Sequence, residues 1–412
     1  MNAASRRLPT EIQQISVLIA VNLVDMIGLM LVLPLLPFYA SDLGASPERI
    51  GQLIAAFSIA QLIAAPFWGR FSDRYGRRPA LVIGLTASAV AFLVFAYAHT
   101  IWLLFLSRLV QGAGGGTTGV AQAYVADTVK PRDRAKALGW LSASTNVGVV
   151  LGPVIGGLAT HLHRAAPGLI ACGLCAVNAW FAWRLLPESR QGVSHHPRDR
   201  KPVWHAAWQV LRHPTRAVPR FVWVYGIGML AFSTLTSLVA LFLKEEHAVT
   251  EATIGYFFTY IGILNILMRL LLLGPVVTRV GEPRAMRIGA ATLILGLLAY
   301  PVARNLWQLV LVIPLVPIGT ALLFPATTSL MSRYSDRAEL GTTMGVAQTY
   351  AGIARVVAPI LGSIVFQRVG HQWPFVAAAG MMALVSLLAF KIEGLPAPPT
   401  GEHPVSQQQG AG

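Results

Sequence analysis

The sequence predicts an all-α integral membrane protein whose twelve transmembrane helices form two six-helix bundles. Three observations predict it: apolar runs long enough to cross a bilayer, a lopsided distribution of basic loops, and an internal repeat. Of the 412 residues, 55% are hydrophobic and only 12% charged, about half the charge usual in a soluble domain. Lys and Arg number 32 against 17 Asp and Glu, a net charge of +15. Such a balance first suggests nucleic acid, but basic loops beside a membrane account for it better, so no nucleic-acid partner is expected. The apolar content excludes disorder, and two cysteines, Cys172 and Cys175, are too few for a disulfide scaffold.

A helix rises about 1.5 Å per residue and needs about 20 apolar residues to cross the hydrocarbon layer. Runs of this kind fall near 14–38, 50–69, 79–98, 102–125, 137–160, 166–186, 221–243, 252–274, 286–303, 306–330, 342–366 and 372–390. They do not show the ten-residue alternation of barrel strands. Residues 1–13 and 392–412 read as tails. No cleavable signal precedes the first span, so its leading residues are expected to be a tail rather than a targeting peptide. Segments on the side of the N-terminus hold 24 Lys and Arg, and the opposite side holds five, Arg49, Arg164, Lys244, Arg304 and Arg368. Three more, Arg108, Arg269 and Arg355, fall inside spans. Basic loops stay in the cytoplasm, so both termini are expected there, in a multi-pass protein of the plasma membrane, the inner membrane of a bacterium.

Residues 188–220 divide an N-terminal bundle, 14–187, from a C-terminal one, 221–391. Pro197, Pro202, Pro214 and Pro219, with Pro187 just before them, mark this stretch as a linker. Within it Val203, Trp204, Ala207, Trp208, Val210 and Leu211 are spaced for a short helix lying in the membrane interface. The two bundles share a pattern. Gly69, Arg74 and Gly76 between spans two and three recur as Gly274, Arg279 and Gly281 between spans eight and nine. Gly152-Pro153 and Gly156 in span five recur as Ala358-Pro359 and Gly362 in span eleven. Duplicated bundles of this kind are a hallmark of transporters.

These motifs resemble the major facilitator superfamily from about residue 21 to residue 390. Gly69-x-x-x-Asp73-Arg74-x-Gly76-Arg77-Arg78 is similar to its signature loop, and Arg108-x-x-Gln111-Gly112-x-Gly114 to its fourth-span motif. Gly148-x-x-x-Gly152-Pro153-x-x-Gly156-Gly157 resembles the fifth-span motif of antiporters. Asp25-x-x-Gly28 with Pro34 and Pro37 resembles the first span of drug:proton antiporters, and Ala123–Asp127 with Asp133-Arg134 the tetracycline-efflux branch. The resemblance implies the major facilitator fold and a proton-coupled exporter of amphipathic small molecules, with an uptake or lipid transporter as the alternative. It also implies a monomer in the lipid bilayer whose partners are a small-molecule substrate and protons. The tetracycline exporters carry a histidine in span eight and an acid in span nine. Here Asn265 and Arg269 occupy span eight and no carboxylate lies between Arg287 and Val302 in span nine, so tetracycline itself is not the expected substrate.

Asp25 is the one carboxylate well inside a span, roughly 17 Å from the end of the first. An ionised acid at that depth is costly, which makes Asp25 the candidate proton carrier, against a static helix–helix hydrogen bond. Arg108, roughly 9 Å from the outer end of span four, is expected near the same depth and able to bias its protonation. The alternative for Arg108 is a backbone-bonded staple. Gly69, Asp73, Arg74, Gly76 and Arg77 are expected to gate the cytoplasmic end, Asp73 acting as a latch formed only when that end closes. The alternative for Arg74, Arg77 and Arg78 is that they only obey the positive-inside rule, and for Arg77 and Arg78 the two readings are equal. Asp127 and Arg134 are expected to pair beside them. Gly148, Gly152 and Gly156, four residues apart on one face, are expected with Pro153 to form a close, bent interface between bundles. Asn146, Phe232, Asn265, Gln348 and Arg355 are candidates for the substrate cavity. Arg355, roughly 21 Å deep, reads equally as a contact for an anionic or polar substrate and as part of a permanent network.

Several signals point away from other functions. Gly114-Gly115-Gly116 is not followed by Gly-Lys-Ser/Thr, so no phosphate loop or ATP site is read and no cofactor is expected. Cys172 and Cys175 form a single pair inside an apolar span and read as inert thiols, and His161 and His163 as solvated loop residues, so no metal is expected. The spans hold no nucleophile–base set, which argues against an enzyme. Paired halves around a lone buried acid suit alternating access better than a channel.

Overall fold

In the computed structural model of the chain, residues 10–130, 132–189, 210, 217–335 and 339–390 are described. The interfacial helix expected in the linker lies outside them save for Val210, as do most of both tails. Among the described residues, eleven helices are long and apolar enough to cross a membrane. They are Gln14–Asp42, Pro47–Tyr75 and Arg77–Ala96 (spans 1–3), Lys136–Thr160 and Ala166–Leu185 (spans 5 and 6), and Val218–His247, Ile254–Leu271, Glu282–Val302, Leu306–Tyr334, Leu340–Arg368 and Trp373–Phe390 (spans 7–12).

The expected fourth span is not one helix but two, Ile101–Gly114 and Thr117–Thr128. Glycines cause the break, because three in a row weaken a helix and expose its backbone. Trp68 then occupies the space beside Gly116, and its indole N–H donates to the carbonyl of Ala113 at 2.5 Å. Prolines interrupt two other spans. Pro34 tightens span 1 into a 3-10 turn, Leu33–Leu35, before it resumes as Leu36–Asp42, and Pro314 divides span 10.

The stretch read as a loop after span 2 is helical. Span 2 runs on through Tyr75 and span 3 starts at Arg77, leaving Gly76 as the whole connection. The repeat follows suit, with Gly281 alone between Val280 and Glu282. Both glycines have positive φ, 107° and 81°, which a side chain would strongly disfavour there. The internal repeat is therefore a repeat of backbone conformation as well as of letters.

In the N-terminal half, span 1 packs on spans 5 and 6, and span 3 on spans 4 and 6. In the C-terminal half, span 7 packs on spans 11 and 12, and span 9 on spans 10 and 12. Two seams join the halves, span 2 with span 11 and span 5 with span 8. Both are tight at the end away from the basic loops, here called the far end. Gly255 lies against the carbonyl of Pro153 and the Cα of Gly157, and Gly51 lies against Ser363 and the carbonyl of Pro359. The Arg368 guanidinium reaches Glu48 at 2.7 Å, and the Glu48 N–H donates to Gln367 Oε1 at 3.1 Å. One apolar cluster joins Leu35, Phe38, Ile50 and Leu53 of the first half to Leu238, Phe242 and Phe375 of the second.

Nearer the basic end the cores separate. There Leu81, Tyr124, Leu141 and Leu186 form a cluster of N-terminal-half residues alone. Along the span 2–span 11 seam, Leu62 against Gly352 is a mid-depth contact. Large apolar side chains such as Phe67, Leu270, Leu311 and Leu387 are exposed, an outer surface suited to lipid rather than water.

Gly255→Leu is expected to hold the far ends apart, because its side chain would enter the space of Pro153 and Gly157. Spin labels at the exposed positions Leu162 and Val302, on opposite halves of that end, should move apart in the variant. An unchanged label distance would show that the seam does not depend on backbone contact at Gly255.

Candidate functional site

Asp25 sits in the middle of span 1, where its side chain points at the break in span 4. Its Oδ2 accepts from the hydroxyl of Thr117 at 3.0 Å, and Thr117 is the first residue of the second half of that span. The three glycines thus have a local consequence, since ending one helix and starting another brings a hydroxyl to the acid. One turn earlier, Asn22 is buried and donates to the Leu141 carbonyl, Ser144 Oγ and Thr145 Oγ1 of span 5. Asn178 of span 6 donates to the carbonyl of Val21 at 2.8 Å. These bonds fix the rotation of span 1 and hence the direction of Asp25. Sequence reading missed Asn22 and Thr117, although one lies three residues from Asp25 and the other directly follows the glycine run.

Arg108 is buried, at 1% exposure, over the ring of Phe95 at 5.7 Å. None of its three side-chain nitrogens has a hydrogen-bond partner among the described residues. It is not beside Asp25. Nine residues of span 4, ~13 Å, separate it from Thr117, so the expected match in depth is not met. The broken helix shifts the acid's partner toward the basic end. An unpaired buried charge is expensive, so this side chain is poised for a role other than packing.

At the basic end, Arg77 binds three partners at once. It reaches Asp73 Oδ1 at 2.7 Å, Asp127 Oδ2 at 2.9 Å and Ser72 Oγ at 2.7 Å. Arg134 does not pair with Asp127; its Nε donates to the carbonyl of Val129, and Asp127 belongs to Arg77. Arg74 lies over the ring of Tyr75. Glu188 was not anticipated. Its carboxylate accepts from the N–H groups of Arg77 at 2.8 Å and Arg78 at 3.1 Å, the opening donors of span 3. Tyr124 holds the preceding carbonyl, Pro187, at 2.8 Å, and Arg78 donates to the carbonyl of Trp183. All of these contacts lie within the N-terminal half, so in this arrangement Asp73 is bonded to its own bundle. The only hint of Glu188 in the sequence was an acid at the end of span 6 on a strongly basic surface.

The other half repeats the cluster with the charges exchanged. Glu282, the repeat partner of Arg77, accepts from Ser329 at 2.6 Å and lies 3.3 Å from Arg333. Arg333 stands on span 10 where Asp127 stands on span 4.

The glycine row of span 5 has a different neighbour from the one expected. Gly148, Gly152 and Gly156 lie against Met26, Met30 and Leu31 of span 1, inside the same bundle. The contact between bundles is made by the adjacent face, through Val150 on Gly262 and through Pro153 and Gly157 on Gly255. Glycines four apart share one face, and here that face is turned to span 1.

The cavity candidates are spread over the inner walls. Asn146 is half-buried on span 5. Asn265 donates to the Ile261 carbonyl and accepts from Thr320 at 3.4 Å, a link within the C-terminal half. Phe232 meets Phe324 edge-on with centroids 5.9 Å apart, and Tyr225 meets the same ring at 5.6 Å. Gln348 donates to the hydroxyl of Tyr225 at 3.4 Å, and Arg355, two turns along span 11, is exposed. Tyr225 and Phe324, unmarked by any motif, complete this wall. Cys175 is buried against Gly28 and both cysteines are free thiols.

Comparison with known proteins gives one consistent result. The sequence profile described as Major Facilitator Superfamily matches residues 18–272 and 221–411. The chain is 29% identical to the class C tetracycline resistance protein of Escherichia coli, over 85% of this chain and 88% of that protein. It is 28% identical to multidrug resistance protein 2 of Bacillus subtilis, over 88% and 91% of the two chains. Its structure is similar to the nucleoside transporter NupG, with a TM-score of 0.75 at 14% identity over 93% and 100% of the chains. It is also similar to the human organic anion transporter MFSD10, with a TM-score of 0.68 at 23% identity over 93% and 100%. At those identities the two structures speak for the fold alone.

Gly76→Ala should destabilise the N-terminal half by about 1–3 kcal/mol, because an alanine is strained at this φ. Its Cβ would also meet the Glu188 carboxylate. Adding Glu188→Ala removes the collision but not the strain, and it uncaps span 3, so thermal unfolding in detergent should not recover. Recovery in the double variant would show that crowding alone dictates glycine.

Proposed function

The chain belongs to the Major Facilitator Superfamily, and from that membership we propose that it is a proton-coupled exporter of amphipathic small molecules working by alternating access. It is a multi-pass membrane transporter rather than an enzyme. Relatives named for tetracycline and multidrug resistance favour drug export over uptake or lipid transport. On this reading the basic end faces the cytoplasm of a bacterial cell, as the positive-inside rule requires, and a monomer is the working unit.

The observation that supports the proposal most is the pair of seams, tight at the far end and parted toward the basic end. The arrangement suits a state that takes up substrate from the cytoplasm. The opposite state would form by closing the basic end along the same faces. Gly51 faces Ser363 and Leu62 faces Gly352; carried two turns further, that register sets Gly69 opposite Gly345. Gly157 on Gly255 and Val150 on Gly262, carried on likewise, set Gly139 beside Gly274. A Cβ at Gly69, Gly139, Gly274 or Gly345 would meet nothing within 4 Å here, so each has room to receive a neighbour.

In this cycle Asp25 carries the proton. It is the sole carboxylate deep in a span, and its neutral form needs no counter-charge in the bilayer. Thr117 bonds the carboxylate, and movement of the second half of span 4 would loosen that bond. Arg108, too far along span 4 for contact, would act through the low-dielectric interior of the bundle. Asp73 and Arg77 would exchange partners when the basic end closes, which makes the present cluster one of two alternatives.

Asp25→Asn is expected to abolish uphill, proton-driven accumulation in liposomes. It should retain some substrate binding and flatten the dependence of that binding on pH. Accumulation against a gradient by this variant would place the proton elsewhere. Cysteines introduced at Gly69 and Gly345 should cross-link during turnover and much less at rest. Failure to cross-link in an actively transporting protein would reject the proposed closing register.

A further inference from the structure

We propose that the inner wall of the C-terminal half is an anion subsite, so that the substrate carries an acidic group on an aromatic or apolar body. The proposal deepens the export reading and rests on it. Arg355 carries the argument. It lies near mid-depth on span 11 and makes no hydrogen bond or ion pair with any described residue. Around that helix, Gly352 and Ser363 turn toward span 2, and Gly362 turns toward span 7. At about 100° per residue, Arg355 and Gln348 fall between those two directions. Arg355 stands about one turn to the far-end side of the Leu62–Gly352 contact and is exposed, and Gln348 stands about one turn past that contact toward the basic end, where span 2 draws away, so this face opens on the gap between the halves.

The neighbours suit an acid joined to a ring. Gln348, two turns from Arg355 on the same face, is linked to Tyr225 at 3.4 Å, and both can donate. Phe324 and Phe232 continue from Tyr225 as an aromatic ridge, with centroid spacings of 5.6 Å and 5.9 Å. A carboxylate or sulfonate matches the planar fork of a guanidinium, and its ring body could pack along the ridge.

The balance of charge points the same way. On span 8, Gly255 and Gly262 face span 5, and Arg269 continues that row toward the basic end, where the gap has opened. Arg269 is exposed and, like Arg355, has no partner among the described residues. The deep carboxylate, Asp25, belongs to the other half and is engaged by Thr117. A lipophilic cation entering from the basic end would meet two unneutralised guanidinium groups, whereas an anion would meet complementary charge.

Three probes sharing one ring system test this: 2-naphthoate, 2-naphthamide and 2-naphthylmethylammonium. Their binding to the full-length protein in nanodiscs is measured at one pH with no gradient. Naphthoate should bind tightest. Arg355→Gln should weaken it by about tenfold or more, the size of a lost charge-assisted hydrogen bond, and leave the neutral amide unchanged. Arg355→Lys should recover part of the loss, and unchanged thermal unfolding would show that both variants fold. Tightest binding of the cation, no binding of any probe, or unchanged naphthoate affinity in Arg355→Gln would overturn the subsite. Because no gradient is applied, loss of proton-driven transport with naphthoate binding intact would count against the export reading alone.

Discussion

Where Gly255 meets Pro153 and Gly157, two backbones touch with no side chain between them, and the arrangement of the halves depends on that approach. In a bilayer the lipid tails are as apolar as leucine, so burial alone cannot drive one bundle onto the other. Close van der Waals packing must supply the attraction, and only very small residues permit it. Gly51 beneath Ser363 serves the other seam in the same way, with the Glu48–Arg368 pair at its rim. With both seams tight at one end and the cores separate toward the other, the molecule has a direction. The inner walls that carry Arg355, Gln348 and Tyr225 are presented to the gap as a result.

The rigid contacts lie inside each half. Asn22 and Asn178 hold span 1 in rotation, the glycine row of span 5 lets span 1 lie close, and Glu188 caps span 3. These bonds need not break for two bodies to rock against each other. The charge-exchanged clusters, Arg77 with Asp127 and Glu282 with Arg333, likewise staple the basic end of each bundle separately. A molecule that moves as two bodies needs two sets of internal staples and a reversible contact between them, and these are the two classes of contact found.

Much was legible in the sequence because the bilayer imposes one-dimensional rules. Length and hydropathy give the spans, and basic-loop bias an expected sidedness, without any knowledge of packing, and the spacing of Gly76 and Gly281 reveals the repeat. Asp25 stood out for the same reason, since a carboxylate in an apolar run is conspicuous in a string of letters. The break in span 4 was less legible, because Gly114-Gly115-Gly116 is compatible with a continuous helix until Trp68 takes the adjacent space.

The sequence by itself determined the helices, their number of crossings, the duplication and the identity of the one deep acid, all properties set by local chemistry against a uniform solvent. Only the tertiary structure decided which residues meet. It gave Asp25 to Thr117 rather than Arg108, Asp127 to Arg77 rather than Arg134, and the row Gly148, Gly152 and Gly156 to span 1 rather than to the other bundle. The physical reason is that pairing depends on the rotation of each helix about its axis and on its depth beside its neighbour. Those are fixed by distant contacts, such as Asn22 on span 5 and Glu188 on span 3, that leave no periodic trace in the chain.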